Sequence, residues 1–321
     1  MNKRRLGRTE IEITPIGLGC WQFSNKPGAM NFWGEVDQET IDRIIAVSLE
    51  GGINWFDTAE AYGNGNSEQS LSSGLKTYGI RPGEVVIATK WIPLLRTVRS
   101  LRKSIDERIA CLDGYPIDLY QIHFPASLSS IEAQMKTMIE LLQAGKIRSV
   151  GVSNFSAAQM RKAHEVLQRE GYTLASNQVV YNLLNRKIEE DGVLETAREL
   201  GITIIAYSPL AQGLLTGKYH RQQADIHERP GPRKYFRTFQ ERGLKKTEPL
   251  IDELGALAKT YAVGPAQIAL NWLMYAHGDT VVVIPGASKV HHAEENAKAA
   301  SFHLTKDEID RLDEISQTVN G

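Results

Sequence analysis

Residues 36–57, "VDQETIDRIIAVSLEGGINWFD", hold the pattern on which the fold is read. Ile41, Ile44, Ile45 and Leu49 recur at helical spacing, Asp37 stands where a side-chain oxygen caps a first turn, and Gly51 and Gly52 stop the helix. "INWF" then reads as a strand, and Asp57 stands at its end. The same unit returns along the chain. In "SSIEAQMKTMIELLQAGK" (129–146) the apolar face is Ile131, Met135, Met138 and Leu142, Gly145 is the stop, and "IRSVGVS" (147–153) is the strand. Met135 and Met138 read as core, since thioethers fill gaps in apolar packing.

Working outward, eight candidate strands emerge: "IGLGC" (16–20), "INWF" (53–56), "VVIATK" (85–90), "DLYQIH" (118–123), "IRSVGVS", "LASNQ" (174–178), "ITIIAYS" (202–208) and "VVVIPG" (281–286). Helical stretches separate all of them, which predicts parallel strands joined by crossovers. No Pro/Ser-rich linker, low-complexity tract or shift in composition divides the chain. Residues 1–321 are therefore expected to form a single α/β domain, a (β/α)8 TIM barrel with extra helices and loops at its C-terminal face. "RRLGRTEIEI" (4–13) is read as a short N-terminal hairpin outside the barrel count.

Composition narrows the function. A net charge of −1 over 321 residues argues against a global pull toward nucleic acid or an anionic membrane. The two cysteines, Cys20 and Cys111, have no metal-like spacing and suit a reduced, cytoplasmic setting. No signal-like apolar block opens the chain, and no run of about eighteen apolar residues crosses a bilayer. A small-molecule partner is expected; the sequence leaves the oligomeric state open.

The strand ends carry chemistry. Asp57, Lys90, His123, the pair Ser153 and Asn154, Gln178, and the pair Tyr207 and Ser208 close successive strands, and in a parallel barrel those ends meet at one mouth. "DTAEAYGNGNSE" (57–68) adds Tyr62 beside Asp57. A phenol is a weak acid, with an ordinary pKa of about 10. An adjacent Lys90 ammonium would lower it, and Asp57 would keep Lys90 charged and oriented. Tyr62 is then a proton donor, and His123 holds a substrate oxygen or shares in proton transfer. The set suits reduction of a carbonyl. No G-x-S-x-G elbow and no histidine ligand spacing point to a hydrolase or a metal site.

Hydride requires a cofactor, yet "GLGCWQ" (17–22) and "GNGNSE" (63–68) both lack the third glycine of the dinucleotide fingerprint. The loops after strands seven and eight offer a different phosphate grip. "SPLAQGLLTGK" (208–218) supplies small residues and Lys218, and "IPGASKVHHAEEN" (284–296) places Ser288 and Lys289 before a helix N-terminus.

"GINWFDTAEAYGNGNSE", "VVIATK", "IDLYQIH", "AGKIRSVGVSNFS", "YSPLAQGLLTGKY" and "IPGASKVHHAEEN" together resemble the aldo-keto reductases, in particular their bacterial general carbonyl reductases, across almost the whole chain. The resemblance implies an NADP-dependent reduction of aldehydes and some ketones, with NAD as a weaker alternative cofactor. It implies Asp57, Tyr62, Lys90 and His123 as a catalytic tetrad. Ser153, Asn154 and Gln178 would hold the nicotinamide carboxamide, Tyr207 would stack on its ring, and Ser208, Leu210, Gly213 and Lys218 would follow the pyrophosphate. Gly286, Ser288, Lys289, His292 and Asn296 would surround the adenosine end. His292 departs from the Gln or Arg usual there, so cofactor preference is the less firmly implied. The segment from Gly217 to Lys246 also departs, holding the basic stretch "ADIHERPGPRKYFRTFQERG" (224–243), and reads as a solvated excursion or as a lid over cofactor phosphates. Trp21, Trp33 and Trp91 are expected in loops that form an apolar pocket wall. Some relatives resemble redox-responsive channel β-subunits, which makes a regulatory binding protein the alternative function. A barrel that handles phosphosugars without redox chemistry is a third.

Overall fold

The computed structural model describes residues 1–25, 35–221 and 236–320, of Arg221 the backbone alone. Two strands, β1 (Arg4–Arg5) and β2 (Glu12–Ile13), pair antiparallel as the hairpin. Eight more form one parallel sheet in sequential order: β3 (Leu18–Gly19), β4 (Trp55–Asp57), β5 (Val86–Trp91), β6 (Leu119–Ile122), β7 (Ser149–Ser153), β8 (Leu174–Val180), β9 (Thr203–Tyr207) and β10 (Val281–Val283). The sheet curls until its last strand reaches its first. There the join is sparse, with bridges at Ile16–Val283 and Gly19–Gly286 and three hydrogen bonds, Val283 N to Pro15 O, Gly17 N to Val283 O and Gly19 N to Pro285 O. Pro15 and Pro285 have no N–H to give at this seam.

Local chemistry accounts for the helices between the strands. Asp37 accepts from Thr40 N ahead of the helix Gln38–Glu50, and Ser130 from Ala133 N ahead of Ile131–Gln143. Ser156 and Gln159 form a reciprocal capping box on Ala157–Gln168. Each cap is worth about 1 kcal/mol. Met135 and Met138 lie fully buried in the layer between helices and sheet, as their spacing predicts.

Inside the barrel, strand alternation writes a gradient of polarity. Trp55, Ala88, Leu119, Ile205 and Val282 pack with Leu6, Ile11 and Ile13 of the hairpin region into an apolar plug. Two residues further along their strands, on the same face, come Asp57, Lys90, Gln121 and Tyr207. The hairpin is bolted on by Arg4, whose buried guanidinium donates to Val281 O and Met274 O, both at 2.8 Å, and pairs with Asp279 at 2.9 Å. Among the described residues no helix is long and apolar enough to cross a membrane.

Candidate active site

The polar end of the barrel holds a continuous hydrogen-bonded series. Lys90 Nζ, buried, donates to Asp57 Oδ1 at 2.5 Å, to Thr58 O at 2.8 Å and to Tyr62 OH at 3.4 Å. Gln178 Nε2 donates to Asp57 Oδ2 at 2.8 Å. Ser153 Oγ donates to the Gln178 carbonyl at 2.8 Å, Asn154 Nδ2 to Ser153 Oγ at 3.0 Å, and Tyr207 OH to Asn154 Oδ1 at 3.1 Å. Residues from five strand ends are thus linked from Tyr62 to Tyr207.

Rings flank the Tyr62 side chain. Trp21 lies nearly parallel to Tyr62 at 6.2 Å, and His123 meets it edge-on at 5.9 Å with Phe124 stacked behind at 4.5 Å. Burial, with the Lys90 ammonium adding to it, holds the His123 imidazole down at about 3, so the ring is neutral. Its Nδ1 is buried with no hydrogen-bond partner among the described residues. Burial would lower Lys90, but Asp57 and the phenol outweigh it and raise it, so the ammonium persists. Tyr62 departs from the sequence expectation: burial raises its pKa more than Lys90 lowers it. The phenol in this structure is therefore a fully protonated donor rather than one poised to ionise.

The loop after β9 has an unusual backbone. Ser208 (φ 51°), Ala211 (φ 47°), Gln212 (φ 57°) and Gly213 (φ 94°) are all left-handed, as is Asn154 (φ 58°) after β7. Non-glycine residues pay about 1–3 kcal/mol for strained conformations, which persist where the surroundings enforce them and concentrate at ligand clamps. Gln212 Oε1 is buried with no hydrogen-bond partner among the described residues. Asn182 Nδ2 ties the loop down through Ser208 O at 3.0 Å. These features fit a phosphate-bearing cofactor. Leu210 is half-buried against the core, and Lys218 is exposed at the start of the helix Lys218–Arg221.

After β10, the strand paired with β9, Lys289 occupies the cap position of the helix Val290–Lys298, exposed, with Ser288 half-buried before it. Asn296 Nδ2 approaches Gly286 O at 3.4 Å, and the His292 ring lies 4.4 Å from that of His291. A side chain at Gly286 would strike Gln22, its Cβ 2.3 Å from the amide of that residue.

One expectation on the pocket wall changes. Trp91 is fully buried, donates from Nε1 to Ser100 Oγ at 3.2 Å and joins the helix-side core, because alternation that turns Lys90 inward turns its neighbour outward. Trp33 and residues 222–235 of the segment 217–246 lie outside the described residues. Gln121 was missed: its Nε2 donates to Asp57 Oδ2 at 3.1 Å. It precedes His123 by two, so the same alternation signals it. Among the described residues no cluster of three or more His, Cys, Asp or Glu is placed to hold a metal.

The model of the aldo/keto reductase family matches residues 15–317. An uncharacterised oxidoreductase of Mycobacterium tuberculosis is 38% identical over 312 residues, covering 95% of this chain and 90% of its own length. An aldo-keto reductase of Bacillus subtilis is 34% identical over 96% of this chain and 91% of its own. The glycerol dehydrogenase of Gluconobacter oxydans superposes with a TM-score of 0.84 at 29% identity, covering 99% of this chain and 96% of that structure.

Proposed function

Because the chain belongs to the aldo/keto reductase family, we propose that it reduces aldehydes, and some ketones, to alcohols with NADPH, Tyr62 delivering the proton. The observation that supports this most is the Tyr62–Lys90–Asp57 series beside a neutral His123 at the C-terminal ends of the barrel strands. A relative named glycerol dehydrogenase shares the barrel, in keeping with interconversion of alcohol and carbonyl.

A reduced nicotinamide, when bound, supplies the hydride for the carbonyl carbon. Tyr62 gives its proton to the carbonyl oxygen as alkoxide character develops there; its raised pKa keeps the phenol in the donor form until then. Lys90, kept charged by Asp57, steadies the phenolate left behind. His123, neutral, positions the oxygen through a ring N–H. Asn154 and Ser153 serve the carboxamide, with Gln178 acting through Oε1 because its Nε2 is committed to Asp57. Tyr207 would cover the nicotinamide ring, Ser208, Leu210, Gly213 and Lys218 would hold the pyrophosphate, and Gly286, Ser288, Lys289, His292 and Asn296 would hold the adenosine end. Trp21 contributes the pocket wall. A panel of aldehydes and ketones, followed by NADPH absorbance, tests the reading. Oxidation of NADPH with aldehydes ahead of bulky ketones is expected; no turnover with any carbonyl would overturn it.

A further inference from the structure

Tyr62 is followed by three left-handed residues, Gly63 (φ 68°), Asn64 (φ 55°) and Gly65 (φ 94°), so no regular ladder fixes the donor. Its loop passes under Ser24, whose carbonyl would lie 2.2 Å from a Cβ at Gly63. It then lies flat on the helix Val98–Cys111, where a Cβ at Gly65 would meet Cys111 Sγ at 2.9 Å and the Arg108 guanidinium at 3.6 Å. Regular structure resumes with the helix Asn66–Thr77, and its first turn is pinned twice. Thr58 Oγ1 donates to Ser67 Oγ at 2.8 Å, and Ser67 Oγ to Cys20 O at 2.7 Å. Thr89 Oγ1 donates to Glu68 Oε1 at 2.5 Å, and Arg108 Nη1 to Glu68 Oε2 at 2.7 Å. Thr58 follows Asp57 and Thr89 precedes Lys90. Two consecutive residues of one helical turn thus grip the immediate neighbours of the two residues that serve the phenol.

We infer that Glu68, clamped between Thr89 and Arg108, is a positioning residue that sets the spacing of Tyr62 from Lys90. The inference rests on the reading of Tyr62 as proton donor. Glu68 is fully buried and touches neither the phenol nor the mouth in any hydrogen bond of the structure; its two arms reach the Lys90 strand on one side and the floor of the Tyr62 loop on the other. The pair it tunes is the loosest of the Lys90 contacts, 3.4 Å against 2.5 and 2.8 Å, and so the one most open to adjustment. A carboxylate in this place is costly to bury. Burial, opposed by Arg108 and Thr89 and reinforced by Glu60, pushes Glu68 up to about 7, with Lys90 the further charge that faces it. Protonation on the acid side weakens the hold on Arg108 and should lower kcat.

The test uses Glu68→Gln, Thr89→Val and Thr89→Ser in the full chain. A misplacement of this kind costs about tenfold or more in kcat. That loss is expected in Glu68→Gln and Thr89→Val, with carbonyl KM and NADPH Kd within about twofold of wild type. Thr89→Ser, which keeps the hydroxyl, should restore most of the rate. The acid limb of kcat near pH 7 should vanish in Glu68→Gln. A second readout needs no cofactor: with 13C-labelled tyrosine, the Tyr62 ring should ionise at higher pH in Thr89→Val than in wild type, since the pull of Lys90 weakens. An unmoved Tyr62 titration with wild-type kcat would overturn the inference, as would losses of kcat, KM and Kd in step with lost folding. Should Glu68→Gln not fold, Thr89→Val, nearly the same size, decides. A wild-type chain that reduces no carbonyl would overturn the proposed function instead, and the phenol titration still judges Glu68.

Discussion

Replacing Tyr62 by Phe removes one oxygen and leaves a ring for Trp21 and His123 to pack on. Turnover should fall by about 10² or more, the range of general acid catalysis, with NADPH affinity unchanged. Pre-steady-state and binding measurements check this; retained turnover would assign the proton elsewhere. The Tyr62 pKa is raised, so the donor form fills the neutral range and is lost only on the alkaline side. His123, held down at about 3, stays neutral throughout assay conditions. His123→Gln should therefore change the rate and not the shape of the pH profile between about pH 5 and 9, and a lost limb near 6.5 would contradict its neutrality. These residues were legible in the sequence because each stands at or near a strand end, where only polar chemistry has reason to sit. The sign of the Tyr62 shift was not, since it depends on how much water the surrounding rings exclude. Trp91 was misplaced for want of applying to it the alternation that places Lys90.

At the scale of elements, the eight strand segments and the cap at Asp37 follow from periodicity and local hydrogen-bonding chemistry. Exact extents do not: β8 runs on to Val180 and β5 to Trp91, because pairing with β9 and β6 continues beyond the polar residues that mark the ends. The anchoring of the hairpin was invisible too, since Arg4 meets its partners more than 260 positions away. Arg4→Met leaves two buried carbonyls without that donor, at about 1–3 kcal/mol each. Stability to urea should drop by about 3 kcal/mol. The kcat of the folded fraction should hold, for the hairpin plugs the apolar end of the barrel and the reacting groups line the other. A matching loss of kcat would mean that the plug and the mouth are mechanically coupled.

For the molecule as a whole, a barrel was legible from eight repeats of one unit, and the mouth from the character of the strand ends. How the ring closes was not, because β10 finds β3 only after the whole chain has turned. That sparse closure gives the cylinder a weak line. From β4 to β10 each strand pairs with the next at three or more positions, whereas at Ile16–Val283 and Gly19–Gly286 only isolated bridges and three backbone bonds cross, with a proline at each end. Local opening is cheapest where fewest hydrogen bonds and least buried surface must be given up. The wall should breathe here first. Hydrogen exchange should find the amides of Gly17 and Gly19 less protected than those of Val152 and Asn177 in the densely paired middle of the sheet; equal protection would show that packing, not pairing, holds the ring shut. Cys20, next along this edge, donates its backbone N–H to Asp57 O, and Trp21 follows it onto Tyr62. A barrel that loosens along this line would admit, for an instant, guests too wide for its resting mouth.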